Sequence, residues 1–135
     1  MVCGYELADM PVRILIVDDE KLIADTLTVI LTRSGYECRT AYDGEEALAL
    51  AQWFDPHLVI SDVIMPKMGG LDLYRALTGL PNRPIVMLIS GNAKLLGIVE
   101  KEKTLGRRLE LLAKPIPLRE LLDQVSKLTS EFSVN

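Results

Sequence analysis

The chain has 135 residues, 49% of them hydrophobic and 25% charged, with a formal net charge of −4, which suits one domain with its own apolar core and leaves little room for two. The acidic balance offers no basic face for nucleic acid and no polybasic membrane anchor, and no apolar run reaches the roughly 18 residues of a membrane span. Cys3 and Cys38 have neither metal-ligand spacing nor the number for a disulfide framework.

The leader, residues 1–12, carries Glu6 and Asp9 and lacks a basic-then-apolar targeting pattern, so a cytoplasmic protein is expected. Arg13 to Val17 is a short β-branched apolar run, a buried strand, closed by Asp18-Asp19. Ile23, Leu27, Ile30 and Leu31 then form one helical stripe, stopped at Ser34-Gly35. Glu37 to Ala41 is a more polar strand, expected at an edge. Asp43 caps the next helix with Glu46 as its capping-box partner, and Ala47, Leu50, Ala51 and Phe54 form the buried face. Asp55-Pro56 ends it.

A third strand from His57 closes on Asp62, and a loop over 63–69 leads to a helix near Gly70. Pro84 to Ile89 is a fourth strand, ending at Ser90-Gly91, and a helix follows from about Asn92. Leu109 to Ala113 is the fifth strand, ending at Lys114-Pro115. Leu118, Leu121, Leu122, Val125 and Leu128 stripe the last helix, entered through Pro117. Strict alternation of strand and helix predicts one parallel sheet covered on both faces over residues 13–130. A short tail, 131–135, follows, with fraying expected from Thr129 onward.

In a parallel α/β sheet the C-terminal strand ends share one rim, where binding groups collect. Here those ends carry Asp18, Asp19, Asp62, Ser90 and Lys114. Each taken alone reads as an ordinary turn or cap; together, in this order on these elements, they make a site. Carboxylates about 4 Å apart repel by roughly 4 kcal/mol at an effective dielectric of 20, so such a cluster asks for a cation. Oxygen ligands with open positions suit Mg²⁺. Asp19 and Asp62 are expected as direct ligands, Asp18 directly or through water, and the backbone carbonyl of Ile64 as a further oxygen. Asp62 is then a carboxylate nucleophile toward a phosphoryl donor. Lys114, the Ser90 hydroxyl and a backbone N–H are placed to meet the peripheral phosphoryl oxygens.

Asp18-Asp19, Asp62 followed by Met65-Pro66, Gly70, Ser90-Gly91 and Lys114-Pro115 resemble the signature of response regulator receiver domains, and the resemblance runs from about Arg13 to Leu128. It implies a flavodoxin-like (βα)5 fold, Asp62 as phosphoacceptor, and a cis peptide before Pro115. The implied donor is a sensor histidine kinase or phosphotransfer protein, with a downstream effector that the sequence does not name. Catalysis of the chain's own phosphotransfer and slow autodephosphorylation is implied, and no other enzyme activity.

Two departures from the family pattern stand out. Leu111 occupies the place of the usual switch aromatic, so any switching is expected to rest on Ser90 and nearby loops. The stretch Lys94 to Arg108 lacks the usual Gly-Ala ending, and reads either as a solvated helix face or as a specialised partner surface. Ile64 and Asn92 lie two residues past Asp62 and Ser90, places that in receivers flank the path of the hydrolytic water, and an apolar Ile64 is expected to slow loss of the phosphoryl group.

His57 is placed at the opposite end from the site; Trp53 is expected to pack on neighbouring chain, and Met65 and Met68 to be partly exposed in the loop after Asp62. The competing readings are a receiver-fold interaction module working without phosphorylation, an aspartyl-phosphate phosphohydrolase, and a flavodoxin-like cofactor binder. The hydrolase lacks an acid two residues after Asp62, and the cofactor binder lacks a Ser/Thr/Gly-rich loop after the first strand.

Overall fold

The computed structural model describes residues 10–132, so Cys3, the start of the leader and residues 133–135 lie outside the described residues. Ten elements alternate: β1 (Arg13–Val17), α1 (Lys21–Arg33), β2 (Glu37–Ala41), α2 (Gly44–Phe54), β3 (Leu58–Asp62), α3 (Gly70–Leu77), β4 (Ile85–Ser90), α4 (Leu96–Thr104), β5 (Leu109–Ala113) and α5 (Leu118–Thr129). The strands form one parallel sheet in the order β2-β1-β3-β4-β5. This is the flavodoxin-like (βα)5 arrangement expected from the alternation, and the chain's direction of winding reverses beside β1 and β3.

Side chains on successive strand residues point to opposite faces, which divides the apolar core in two. Leu15, Val17, Val59, Val86, Leu88 and Leu109 pack on one face with α2, α3 and Val99 of α4. Ile14, Ile16, Leu58, Ile60, Ile85 and Met87 pack on the other with α1 and α5. The most apolar strands, β1, β3 and β4, take the three inner positions, whereas β2, with Glu37 and Arg39 exposed, takes an edge.

The helix ends follow local chemistry. Asp43 accepts a hydrogen bond from the Glu46 N–H at 2.7 Å, and Glu46 accepts from the Tyr42 N–H at 2.6 Å, closing the first turn of α2 reciprocally. At the end of α4, Gly106 adopts φ +79°, its N–H reaching the Lys103 carbonyl while the Arg107 N–H reaches that of Glu102. That is a glycine-terminated Schellman stop. Gly106 thus does the turning at the end of α4.

Two expectations are corrected. Residues Ala93–Leu95 form a 3-10 turn, so α4 starts at Leu96 rather than near Asn92. The chain does not fray from Thr129: that residue is buried in α5, and Ser130–Phe132 make a further 3-10 turn. The ring of Phe132 lies 4.6 Å from that of His57, and Glu131 pairs with Arg108. Within the apolar stripe of α1, Leu31 is buried, Leu27 and Ile30 are half covered, and Ile23 is exposed. His57 does lie at the N-terminal edge of the sheet, where its Nδ1 accepts the Arg13 backbone N–H at 2.9 Å.

Candidate functional site

Every sequence-derived side chain comes from the C-terminal end of a strand or from the two residues just beyond it. Asp18 and Asp19 follow β1, Asp62 ends β3, Ser90 ends β4 and Lys114 follows β5. The register sets them side by side, with Asp62 opposite Ile89 and Ser90 opposite Ala113. A carboxylate oxygen from each of Asp18, Asp19 and Asp62 lies within 4.8 Å of the other two. Lys114 Nζ stands 3.3 Å from Asp62 Oδ2.

Backbone groups fix the geometry. The other Asp62 oxygen, Oδ1, accepts the Val63 N–H at 2.8 Å, which sets the carboxylate plane. Asp18 Oδ1 accepts the Glu20 N–H at 2.9 Å as the chain turns into α1. Ser90 is buried; its hydroxyl oxygen accepts the Asn92 N–H at 2.9 Å and its carbonyl accepts the Lys114 N–H at 2.9 Å. The Lys114-Pro115 peptide is cis, as the resemblance implied.

The loop between β3 and α3 is shaped by close backbone approaches. A Cβ on Gly70 would fall 2.4 Å from the Asp62 carbonyl oxygen, and one on Gly44 would fall 2.7 Å from that of Met68. Glycine is therefore required where α3 rests on Asp62 and where the loop rests on α2. Met65 is buried within the core, contrary to the expected partial exposure, whereas Met68 is half-buried. Trp53 packs on neighbouring chain only at its edges and stays largely exposed, its ring meeting that of Phe54 edge-on at 6.2 Å and the Arg39 guanidinium at 5.8 Å.

Burial pushes the Asp18 carboxyl above its ordinary value, and repulsion from Asp62 and Asp19 adds to this; the Glu20 N–H and Lys114 pull the other way. A buried acid crowded by two further carboxylates gains from positive charge placed among them. The residues present thus fit a hard divalent ion.

The sequence did not reveal an apolar groove of about 580 Å³ that opens between α1 and α5 and runs up to the site. Leu22, Ile23, Ile30, Ile116, Leu118 and Lys114 are among its lining. Leu22 is 80% exposed. The available signal was Leu22 itself, an apolar residue beside the Asp18-Asp19 pair and outside the α1 stripe. Ile64, named for its carbonyl, holds its side chain 77% exposed on the rim.

The model of the response regulator receiver domain family matches residues 14–126. The chain is similar to the chemotaxis protein CheY4 of Vibrio cholerae, with 29% identity, 88% of this chain and 99% of that one covered, and a TM-score of 0.75. It is also similar to a CheY-like receiver domain protein of Methanospirillum hungatei JF-1, with 30% identity, coverage of 91% and 97%, and a TM-score of 0.77. For the receiver domain of the hybrid histidine kinase CckA the identity is 34%, the coverage 86% and 97%, and the TM-score 0.71. With its fold and acidic cluster, the chain belongs to the response regulator receiver domain family.

Proposed function

We propose that this protein is a phosphorylation switch of two-component signalling, taking a phosphoryl group onto Asp62 from a phosphohistidine on a sensor kinase or phosphotransfer protein. The observation that carries this reading is the meeting of three carboxylates within 4.8 Å, with Lys114 Nζ 3.3 Å from Asp62. Asp18, Asp19, Asp62 and the Ile64 carbonyl would hold Mg²⁺, which supplies the positive charge that lets the carboxylates and an incoming phosphoryl group share one small volume.

In the transfer, an Asp62 carboxylate oxygen forms a bond to phosphorus while the P–N bond to the donor imidazole breaks, and the departing imidazole takes up a proton. The protein's contribution is positioning and charge neutralisation. Lys114 meets one peripheral oxygen, the Ser90 hydroxyl another, and the Val63 N–H orients the nucleophile. Since Ser90 accepts its hydrogen bond from Asn92, its own proton is free to be donated. Hydrolysis by water is slowed by the apolar Ile64 side chain on the rim.

The groove between α1 and α5 supports the partner half of the proposal. It is continuous with the site through Lys114, so a donor whose histidine reaches Asp62 lies across it, and its lining suits the apolar face of the donor's helix. Among the described residues no helix is long and apolar enough to cross a membrane.

Incubation with acetyl phosphate and Mg²⁺ tests the reading directly. We expect one acid-labile phosphoryl group per chain, lost in Asp62→Asn and on chelation. Absence of incorporation from both acetyl phosphate and a panel of sensor kinases would favour an interaction module that works without phosphorylation.

A further inference from the structure

The weakest attachment in the fold belongs to α4. Of its residues Val99 alone is buried, while Leu96 and Ile98 stand exposed, so apolar burial holds this helix far less firmly than α5, which buries Leu121, Val125 and Thr129. Polar contacts fill the gap. Tyr74 of α3 is 4% exposed, and its hydroxyl donates a 2.5 Å hydrogen bond to Glu102 Oε1 in the last turn of α4. The same carboxylate takes the Arg107 guanidinium at 3.1 Å, and the Arg107 backbone N–H closes on the Glu102 carbonyl in the turn that ends the helix. One carboxylate thus ties α3, the end of α4 and the entry to β5 together. A second tie, Lys103 to Glu110 at 2.9 Å, joins α4 to β5.

The other end of α3 rests on the phosphoacceptor. The Gly70 N–H donates to the Val63 carbonyl at 2.9 Å, and its Cα lies too close to the Asp62 carbonyl to admit a side chain. Gly70 and Tyr74 are one helical turn apart and share a face of α3. A shift of the backbone around Asp62 therefore moves Tyr74 with the helix, and its hydrogen bond to Glu102 weakens as the distance and angle leave the favourable range. Beside Tyr74 a cleft of about 140 Å³, lined by Thr78, Arg83, Pro84, Gly106 and Arg107, leaves space for the released groups.

We propose that Tyr74, Glu102 and Arg107 form a latch that fixes α4 on the domain, and that the state of Asp62 sets the latch through α3. The first half stands on geometry alone; the second rests on Asp62 being the phosphoacceptor. Burial, then the contact with Glu102, pushes the Tyr74 hydroxyl up to about 12, so it remains a donor at every physiological pH. Opening the latch frees the end of α4 and exposes Val99 next to Leu96 and Ile98, an apolar surface for an effector that recognises one state only.

Hydrogen exchange of the full chain, read by mass spectrometry, tests both halves. In Tyr74→Phe, which keeps the ring and removes the hydroxyl, amides over 97–106 are expected to exchange at least about tenfold faster while those of β1 and β3 are unchanged. Unchanged exchange over 97–106 overturns the latch. Should Tyr74→Phe loosen the whole fold, Glu102→Ala, a change near the surface, is read in its place by the same criterion. Wild type with Mg²⁺ and beryllofluoride, a phosphoryl mimic, is then expected to show the same local acceleration. If a fluorine NMR signal shows the mimic bound in wild type and not in Asp62→Asn, yet 97–106 does not respond, the coupling is overturned and the site reading stands. If no bound signal is found, the site reading fails and the coupling with it, while the latch is judged on the first comparison.

Discussion

Gly70 and Leu111 illustrate what single positions decide. Gly70 was legible as part of a motif, but its physical reason, the Asp62 carbonyl 2.4 Å from where a Cβ would sit, is a contact that a linear sequence does not display. Gly70→Ala forces α3 or the end of β3 to move, and backbone shifts of this sort cost about 1–3 kcal/mol. A matching fall in unfolding free energy by urea titration is expected, together with slower phosphorylation by acetyl phosphate; unaltered stability would show that the loop yields freely. Leu111 is half-buried against the core. The aromatic hydroxyl that β5 lacks is found instead on α3, at Tyr74.

At the level of elements, apolar periodicity placed β1, α1, β2, α2, β5 and α5 close to their observed bounds, because each pairs a strong pattern with a clear stop. It failed at α4, where four charged residues in Leu96–Thr104 blur the stripe and a 3-10 turn precedes the helix. It also failed at the chain's end, where Phe132 packs on a residue from β3's entry, far away in sequence. The α1 stripe was read correctly as apolar, yet periodicity does not say whether a stripe is covered by its own domain or by a partner. Its open upper half gives a sharp expectation. Leu22→Glu should slow phosphotransfer from a cognate kinase about tenfold or more, while labelling by acetyl phosphate, which needs no docking surface, stays at the wild-type rate. Equal loss with both donors would place Leu22 in the chemistry and remove the groove from partner binding.

For the molecule as a whole, the site was legible because a parallel sheet converts strand order into position: residues that end strands must share a rim. The distances and the role of the groove were not legible, since they depend on how the helices settle on the sheet. The opposite edge has its own titration. Burial and then the Arg13 charge hold the His57 pKa below its ordinary 6.5, with Asp55 opposing; Arg83, Arg108 and Glu131 stand around it. Only the neutral ring accepts the Arg13 N–H. The unfolded chain therefore binds this proton more readily than the folded one, and the stabilisation is full above pH 6.5 and lost as pH falls through the folded value. The urea midpoint of wild type should decline from pH 6.5 to 5 more steeply than that of His57→Gln; parallel curves would assign the decline to other groups.

The strand-end placement of the site has a consequence for biosynthesis. Asp18 leaves the ribosome near the beginning of the domain and Lys114 near its end, and they meet only when β5 has joined the far side of the sheet. A nascent or truncated chain carries Asp62 without the lysine beside it, and without β4 to hold Ser90 in place. On the proposed function, an unfinished copy is therefore a poor phosphoryl acceptor, because the groups that would neutralise the incoming charge join Asp62 only when the domain folds as a unit.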